Sequence, residues 1–178
     1  PLSFTIDDPT FSRTVLDTGI TTAANDDGEL VEGEYVTYRL TVAVPEGTTR
    51  LSEITDVLSD NQRYDASFTP VVGLPPSGVT VGNPTGNPSA AADLQSVEFD
   101  LGDIVNSRTD GSAAEVTITY RAYADTSTNS SNTTGANATL VWDRNGDTNN
   151  TGNGDGSLSA AESLTIVHPE LQIAQSVA

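Results

Sequence analysis

The chain has 178 residues, which suits one domain or two small ones, and 35% of them are hydrophobic. It contains no cysteine and one histidine, so disulfides, thiolate chemistry and zinc sites built from cysteine or from two histidines are excluded. The formal net charge is −18, and all seven basic residues are arginine. Such a surface repels nucleic acids and anionic membranes and attracts cations, although it also simply keeps a protein hydrated in salty water.

Alternating strand patterns follow one another along the chain. In residues 34–44, EYVTYRLTVAV, the apolar side chains occupy every second position, and residues 96–105, 114–124, 137–143 and 163–169 show the same period of two. Valine, isoleucine, threonine and tyrosine dominate these segments, as is typical of half-buried strands. The apolar faces of two of the segments place Tyr120 and Trp142 in the predicted core.

Two segments are less clear from the sequence. Residues 50–65, RLSEITDVLSDNQRYD, could hold a turn or two of helix near Ile54 to Leu58, or a strand followed by a loop. Residues 70–92 are rich in proline and glycine, which predicts a long crossing loop or a weak edge hairpin. Turn motifs such as NDDGE, PEGTT and RTDGS separate the strands and indicate an all-β antiparallel sandwich. No run is apolar enough or long enough to insert into a membrane.

The two ends of the chain resemble each other. SFTIDDPTFSRTV near the start aligns with SLTIVHPELQIAQSV near the finish, so that Ile6 matches Ile166 and Pro9 matches Pro169, at an offset of 160 residues. This match predicts a tandem array. The predicted units are a tail of the preceding repeat at 1–8, one sandwich repeat at 9–168, and a linker or first strand of the next repeat at 169–178. The abrupt start, PLSFTIDD, predicts a piece of a longer protein.

The order of these motifs resembles the repeated immunoglobulin-like domains of large bacterial surface adhesins, including DUF11-type and isopeptide-forming fimbrial repeats. The resemblance implies an Ig-like sandwich with Greek-key connections on a bacterial cell surface. Many such repeats carry a lysine in the first strand that forms an amide crosslink to a late strand. Arg13 and Gln175 lie near the expected positions here, and neither side chain can make that bond. The resemblance therefore implies a repeat stabilised by its core, and by metal, without a crosslink.

The most polar stretch is WDRNGDTNNTGNGDGSLSAAE, residues 142–162. Calcium takes six to eight oxygen ligands, often supplied at alternate positions, and two such patterns lie back to back here. In a twelve-residue loop Gly156 would make the sharp turn and Glu162 would close the site, but Thr151 stands where a carboxylate belongs. A calcium-bound hairpin loop and a plain polar loop both remain open. The predicted ligands are Asp143, Asn145, Asp147, Asn153, Asp155, Ser157 and Glu162.

Weaker candidates lie elsewhere. Asp7 and Asp8 fall at the predicted junction between repeats, where a cation could stiffen the linker, and residues 25–29 could hold a cation or form only a turn. His168 has no evident nucleophile beside it, which favours a non-catalytic protein. Exposed Tyr35 and Tyr123 could stack on sugars. Four Asn-x-Ser/Thr sequons begin at Asn129, Asn132, Asn137 and Asn149.

These patterns predict a non-catalytic, extracellular adhesin repeat that acts as a calcium-stiffened spacer. The expected partners are neighbouring repeats of the same chain and a glycan or protein on a host-cell or biofilm surface. Nucleic acid and membrane insertion are not expected, and an isolated repeat should be monomeric. The alternative is a calcium-dependent glycan- or protein-binding adhesion module that presents the loops at 70–92 and 125–136.

Overall fold

The computed structural model describes residues 7–20, 28–73, 75, 77–125, 133–152 and 154–167. Within these ranges the chain contains no helix that is long and apolar enough to cross a membrane. The described residues form twelve strands: β1 Thr10–Thr18, β2 Glu29–Leu30, β3 Tyr35–Val44, β4 Gly47–Val57, β5 Gln62–Tyr64, β6 Val71–Val72, β7 Val79–Val81, β8 Ser89–Ala90, β9 Ser96–Asn106, β10 Ala114–Ala124, β11 Thr133–Asp143 and β12 Gly156–Ile166.

The strands form two sheets that enclose one core. Sheet 1 has the order β1-β3-β10-β5, with β6 also paired to β10, and sheet 2 has the order β2-β12-β11-β4-β9-β7, with β8 also paired to β9. The pairs are antiparallel except for the parallel contact of β12 with β2. Among the described strands the chain crosses from one sheet to the other seven times, after β1, β2, β3, β4, β6, β9 and β10, which gives a Greek-key arrangement. The predicted all-β sandwich is confirmed.

The alternating patterns place their apolar faces in the core. The side chains of β3 alternate between buried and accessible along the strand, and those of β10 do the same. Tyr120 and Trp142, predicted as core residues, are 0% and 6% exposed. The ambiguous segment near Ile54 is part of β4, and the described residues of the proline-rich stretch contribute the short edge strands β6, β7 and β8. Proline's lack of an N–H donor explains why that stretch stays at the edges.

A buried ionic cluster joins the two sheets. Arg13 of β1 donates from Nε to Oδ2 of Asp56 on β4 at 2.9 Å, and both side chains are fully buried. Tyr120 of β10 donates its hydroxyl to the same carboxylate and accepts a hydrogen bond from Arg13 Nη2 at 3.2 Å. The Arg13 guanidinium also lies 3.6 Å from the ring centroid of Tyr38. We call Arg13, Asp56, Tyr120 and Tyr38 the core ionic cluster.

The charge states in this cluster follow from its contacts. Burial alone would lower the pKa of Arg13, but Tyr120 and Asp56 raise it above its usual value, so the guanidinium stays positive. Burial raises the pKa of Tyr120 well above its usual value, and the Asp56 carboxylate raises it further. Tyr120 therefore remains a neutral donor. Arg13 lies near the position at which related repeats carry the crosslinking lysine. Here it ties β1 to the opposite sheet by an ion pair.

The two ends of the sandwich differ in the chain segments that they carry. The start of β1 lies beside the β3–β4 turn, because Thr10 pairs with Ala43, and this end also carries the β11–β12 loop. The end of β12 lies at the opposite end, where Thr165 pairs with Thr133. We call these ends the N-terminal pole and the C-terminal pole. The chain therefore enters the sandwich at one pole and leaves it at the other.

Candidate metal centre

The polar stretch forms the loop between β11 and β12, and a tight contact closes its base. Trp142 pairs with Gly156 across the two strands. A Cβ at position 156 would lie 2.0 Å from the Trp142 ring, so only glycine fits there. Gly156 therefore does not make the sharp turn that the twelve-residue pattern predicts. The glycines of this loop with positive φ are Gly146 and Gly154.

An irregularity in β11 positions the first carboxylate. The pairing of β11 with β4 shifts register between Val141 and Asp143, which brings Asp143 opposite Arg50. Such bulges re-aim side chains at the ends of strands. The Asp143 side chain is fully buried, and its Oδ1 accepts the Gly146 N–H at 2.6 Å. Its Oδ2 accepts no hydrogen bond from the described residues, and the nearest charge is Arg50 Nη1 at 3.5 Å.

Three carboxylates converge at this loop. Asp143, Asp147 and Asp155 each bring one oxygen to within 4.8 Å of the other two. Calcium binds oxygen at 2.3–2.6 Å, so two ligands of one ion lie at most about 5 Å apart. The spacing of the three oxygens therefore fits a single calcium ion. We call these three residues the loop acidic cluster.

A glycine marks the point at which the loop's side-chain oxygens meet. A Cβ on Gly152 would lie 3.1 Å from Asn149 Oδ1, 3.2 Å from Asp155 Oδ2 and 3.4 Å from Asp147 Oδ2. The backbone at Gly152 is outside the left-handed region, so its conformation does not require glycine. The missing side chain instead leaves room among three oxygens. This convergence adds Asn149 to the possible ligands.

Hydrogen bonds at every second residue shape the loop. Asn145 Oδ1 accepts the Asp147 N–H, Asp147 Oδ1 accepts the Asn149 N–H, and Asn149 Oδ1 accepts the Thr151 N–H, at 2.9, 3.1 and 3.2 Å. Side chains that bond two residues ahead are typical of Asx turns. Asn150 fastens the loop to sheet 2 by donating to the Leu51 carbonyl at 2.9 Å. The carboxylates are thus held in place, and each keeps lone pairs for a metal.

The nearby arginines compensate the loop's charge only in part. Arg50 faces Asp143, but its side chain is 43% exposed and the contact is long. Arg144 is 55% exposed and pairs with Asp8 Oδ1 at 3.6 Å, outside the loop acidic cluster. Among the described residues the one arginine paired with a member of the cluster is therefore Arg50, which faces Asp143.

Of the other predicted ligands, the structure places Glu162 far from this cluster and keeps Asn145 within the loop. Glu162 lies on β12 opposite Ala136, six residues beyond Gly156 and so about 20 Å along the strand from the loop base. Ser157 pairs with Val141 at the start of the same strand. Asn145 lies within the loop and donates to Asp147 Oδ2 at 3.1 Å. Asn153 lies outside the described residues.

Asp7 and Asp8, the predicted junction carboxylates, lie next to the loop. They line a groove of about 860 Å³ at the N-terminal pole together with Pro45, Arg50 and Trp142. The Asp8–Arg144 ion pair connects the segment before β1 directly to the residue that follows Asp143. Residues 25–27, His168 and the sequons at Asn129 and Asn132 lie outside the described residues.

The aromatic residues considered for sugar stacking lie on the outer face of sheet 1. Tyr35 and Tyr123 make an edge contact, with ring centroids 6.3 Å apart. The Arg121 guanidinium lies 4.1 Å from the Tyr35 centroid and 5.0 Å from that of Phe68. One face of Tyr35 is therefore already covered by a cation.

Sequence reasoning missed three residues of the site. The sequence marks Asn149 only as the start of a glycosylation sequon. It also continues the alternation of Asp143, Asn145 and Asp147, which could have predicted it as a ligand. The importance of Gly152 depends on which oxygens surround it. Arg50 lies far away in the sequence and meets Asp143 only through the pairing of β4 with β11.

Comparison with solved structures supports the fold. The chain is similar to the C-terminal domain of the AgI/II polypeptide BspA of Streptococcus agalactiae, with 13% identity and a TM-score of 0.54 over 89% of this chain and 49% of that one. It is similar to the full-length major pilin RrgB of Streptococcus pneumoniae, with 15% identity and a TM-score of 0.52 over 82% and 25%. It is also similar to BcpA, the major pilin subunit of Bacillus cereus, with 13% identity and a TM-score of 0.50 over 90% and 40%.

This chain thus spans half or less of each of these proteins. At such identities the likeness establishes the fold, an Ig-like sandwich of the kind found in pilin domains. No protein-family model matches the sequence, and no curated protein matches it. The DUF11-type assignment stays a prediction.

Proposed function

We propose that the chain is a non-catalytic repeat of a bacterial cell-surface adhesin or pilus-like protein, and that calcium bound in the β11–β12 loop stiffens it. Its partners are neighbouring repeats of the same polypeptide. The observation that carries the calcium assignment is the convergence of Asp143, Asp147 and Asp155 to within 4.8 Å, with Asp143 fully buried.

The buried carboxylate is the strongest part of this argument. A charged group removed from water loses hydration that a partner must replace. Asp143 Oδ2 has no hydrogen bond within the described part of the chain, and Arg50 approaches it only to 3.5 Å. A divalent cation held by the carboxylates of Asp143, Asp147 and Asp155 would supply the missing charge. It would also join the end of β11 to the start of β12.

The donor set favours calcium over other common metals. The cluster and its neighbour Asn149 offer only oxygen, which suits hard cations and not zinc or copper. Magnesium requires oxygens at 2.0–2.1 Å in a near-ideal octahedron, whereas calcium accepts irregular shells of six to eight ligands. A loop built from successive Asx turns, with carboxylates from both of its ends, provides an irregular shell.

The spacer function is supported by the path of the chain and by the core ionic cluster. The chain enters at one pole and leaves at the other, so a series of such domains would extend end to end. Arg13 lies on the strand through which tension at the N-terminal pole would enter, and its ion pair with Asp56 ties that strand to sheet 2. The acidic surface is compatible with a hydrated, extracellular location.

Isothermal titration of the chelator-stripped chain with calcium tests the proposal. We expect saturable binding, with magnesium competing weakly. Asp155→Asn should weaken the affinity roughly tenfold or more, because it removes one charged ligand. Asp93→Asn removes the same charge from an exposed position at the C-terminal pole and should leave the affinity unchanged.

Two results would overturn the calcium assignment. One is the absence of both binding heat and any change in melting temperature between millimolar calcium and chelator. The other is an equal loss of affinity in Asp155→Asn and Asp93→Asn, which would indicate diffuse attraction to an acidic surface.

A further inference from the structure

We infer that Asn145 is a self-modification site, at which the β11–β12 loop converts this asparagine into an aspartyl residue without an enzyme. The reaction is deamidation, in which the backbone nitrogen of Gly146 displaces the side-chain amide of Asn145. It goes beyond the proposed function, because it needs no metal. The loop brings together the three groups that the reaction requires, which are a nucleophile, a polarised carbonyl and a base.

The Asn145–Gly146 dipeptide supplies an unhindered nucleophile. Glycine has no side chain to shield its nitrogen, and Gly146 has a φ of +79°, a conformation that glycine adopts readily. Both residues are exposed, so water reaches the peptide bond between them. A Cβ on Gly146 would lie 3.7 Å from Arg50 Nη1, which places a positive charge beside the reacting bond.

Asp143 holds the nucleophilic nitrogen. The Gly146 N–H donates to Asp143 Oδ1 at 2.6 Å, within the range expected for a general base and the proton that it takes. The carboxylate is fully buried, and its other oxygen accepts no hydrogen bond from the described residues. A carboxylate that is short of donors draws strongly on the N–H that reaches it. Asp143 is therefore placed to take the proton as the nitrogen attacks.

Asp147 polarises the amide that is attacked. Its backbone N–H donates to Asn145 Oδ1 at 2.9 Å, and its Oδ2 accepts from Asn145 Nδ2 at 3.1 Å. The first contact stabilises the negative charge that develops on the carbonyl oxygen, as an oxyanion-hole donor does. The second contact holds the amino group that leaves. One residue thus contacts both ends of the reacting amide.

The atoms of the reaction balance with water as the only co-reactant. A bond forms between Gly146 N and Asn145 Cγ, while the bond from Cγ to Nδ2 breaks. The proton of the Gly146 N–H passes to Asp143 and then, through solvent, to the leaving nitrogen, which departs as ammonia. The product is a five-membered succinimide, and water opens it at either carbonyl to give aspartate or isoaspartate. Nothing is oxidised or reduced.

The product adds a carboxylate beside the loop acidic cluster, at a position that alternates with Asp143 and Asp147. Calcium affinity depends on the number of charged ligands. In the proposed function the affinity of the loop for calcium would therefore increase as the protein ages. This consequence rests on the calcium assignment, whereas the reaction itself does not.

The test follows deamidation of the chelator-stripped chain by mass spectrometry that locates the modified residue, in buffer and in urea at the same pH. We expect Asn145 to react about tenfold or more faster in the folded chain, because only the folded loop supplies the base. Asp143→Asn should lower the folded rate to that of the unfolded chain. Asp103→Asn, which removes an exposed carboxylate that also accepts a backbone N–H, should leave the rate unchanged.

Asn153, which is also followed by glycine, provides an internal reference in the same stretch of sequence. Slower reaction of Asn145 alone in Asp143→Asn would support the role of Asp143 as the base, whereas equal slowing at both asparagines would overturn it. A folded rate at Asn145 that is equal to or below the rate in urea would overturn the inference, even if the chain binds calcium. Faster reaction in the folded chain would support the inference, even if the chain binds no calcium.

Discussion

The core ionic cluster and the loop acidic cluster are both built on buried carboxylates, and they differ in where the compensating charge comes from. Asp56 has a fully buried arginine at 2.9 Å and a tyrosine donor, all within the chain. Asp143 has an arginine at 3.5 Å that is nearly half exposed, and two further carboxylates beside it. The first cluster finds its counter-charge within the folded chain, although Asp56 Oδ1 and Arg13 Nη1 make no hydrogen bond with the described residues. In the proposed function the second cluster takes its counter-charge from a cation in solution.

This difference assigns the two clusters different functions. Asp56 and Arg13 lie within long paired strands, where the backbone fixes their positions, so their contact is a permanent part of the fold. Asp147 and Asp155 lie in a loop that is shaped by its own side chains and bordered by positive-φ glycines. In the proposed function the loop would therefore respond to the cation concentration while the core ionic cluster stays unchanged.

The largest predicted effect is the removal of one partner from the core ionic cluster. Asp56→Asn leaves the Arg13 guanidinium buried without a counter-charge, and we expect it to lower the free energy of unfolding by about 3–5 kcal/mol. Urea denaturation followed by tryptophan fluorescence measures this loss. Calcium should not restore the lost stability, because the proposed calcium site lies in the β11–β12 loop at the N-terminal pole and not in the core ionic cluster.

A paired replacement is the matched control. Arg13→Met with Asp56→Leu removes both charges, and replacing a buried pair with apolar side chains is often neutral or stabilising. We expect a cost of at most about 1 kcal/mol. If the double variant is as unstable as Asp56→Asn, the attraction between Arg13 and Asp56 must exceed the free-energy cost of burying the two charges.

The second prediction concerns a variant that fills the space among the oxygens of the β11–β12 loop without removing any of the proposed ligands. Gly152→Ala places a methyl group 3.1–3.4 Å from oxygens of Asn149, Asp155 and Asp147, where it would compete with a cation. If calcium at 100 times its Kd stabilises the wild type by about 2.7 kcal/mol, its melting temperature rises by about 5–10 °C. We expect Gly152→Ala to lose most of that rise.

The control for this variant is Gly19→Ala. A Cβ at Gly19 would meet only ordinary contacts at 3.6 Å or more, and the residue lies at the opposite pole. It should keep the full calcium-dependent rise. If calcium raised the melting temperature of Gly152→Ala as much as that of the wild type, the cation would have to bind away from the oxygens that surround Gly152.

The sequence predicts the framework of the fold better than it predicts either cluster. Alternation places Tyr120 and Trp142 in the core because a strand's two faces are encoded within the strand itself. Asp56 meets Arg13 only when two sheets stack, at a separation of 43 residues, which no local pattern records. The loop is an intermediate case. The alternating acidic residues predict the site correctly as to its loop. The twelve-residue calcium-loop pattern, however, also includes Glu162, which lies well along β12 and far from the loop.

The third prediction concerns the arginine that partly compensates the loop. In the proposed function Arg50 would compete with calcium for the Asp143 carboxylate. Arg50→Gln should then tighten calcium binding by about two- to fivefold, the worth of a half-exposed ion pair. The gain should shrink in high salt. Arg39→Gln, a change of the same charge on the outer face of sheet 1, is the control for net charge. Equal gains in the two variants would mean that Arg50 acts only through the overall field.

The smallest predicted effect comes from Glu53, a third acidic group that has neither an arginine nor converging ligands. Burial raises the pKa of Glu53, and the neighbouring Glu98 and Asp100 raise it further, Asp100 being its direct partner across β4 and β9. The folded protein then binds more protons than the unfolded chain between the ordinary and the raised pKa. The contribution of Glu53 to stability is therefore present at low pH and is lost as the pH rises through that window.

Glu53→Gln should accordingly stabilise the protein slightly at pH 7, by a few tenths of a kcal/mol after allowance for solvent screening, and the gain should vanish in acid.

Asp65 provides the opposite case. Burial alone would raise the pKa of Asp65, but hydrogen bonds from Ser67 and Arg121 outweigh it and lower the pKa. Asp65→Asn should thus destabilise at pH 7 and cost less as the pH falls. Melting curves from pH 3 to 8 that move both variants in the same direction would show that net charge, and not the local contacts, governs these carboxylates.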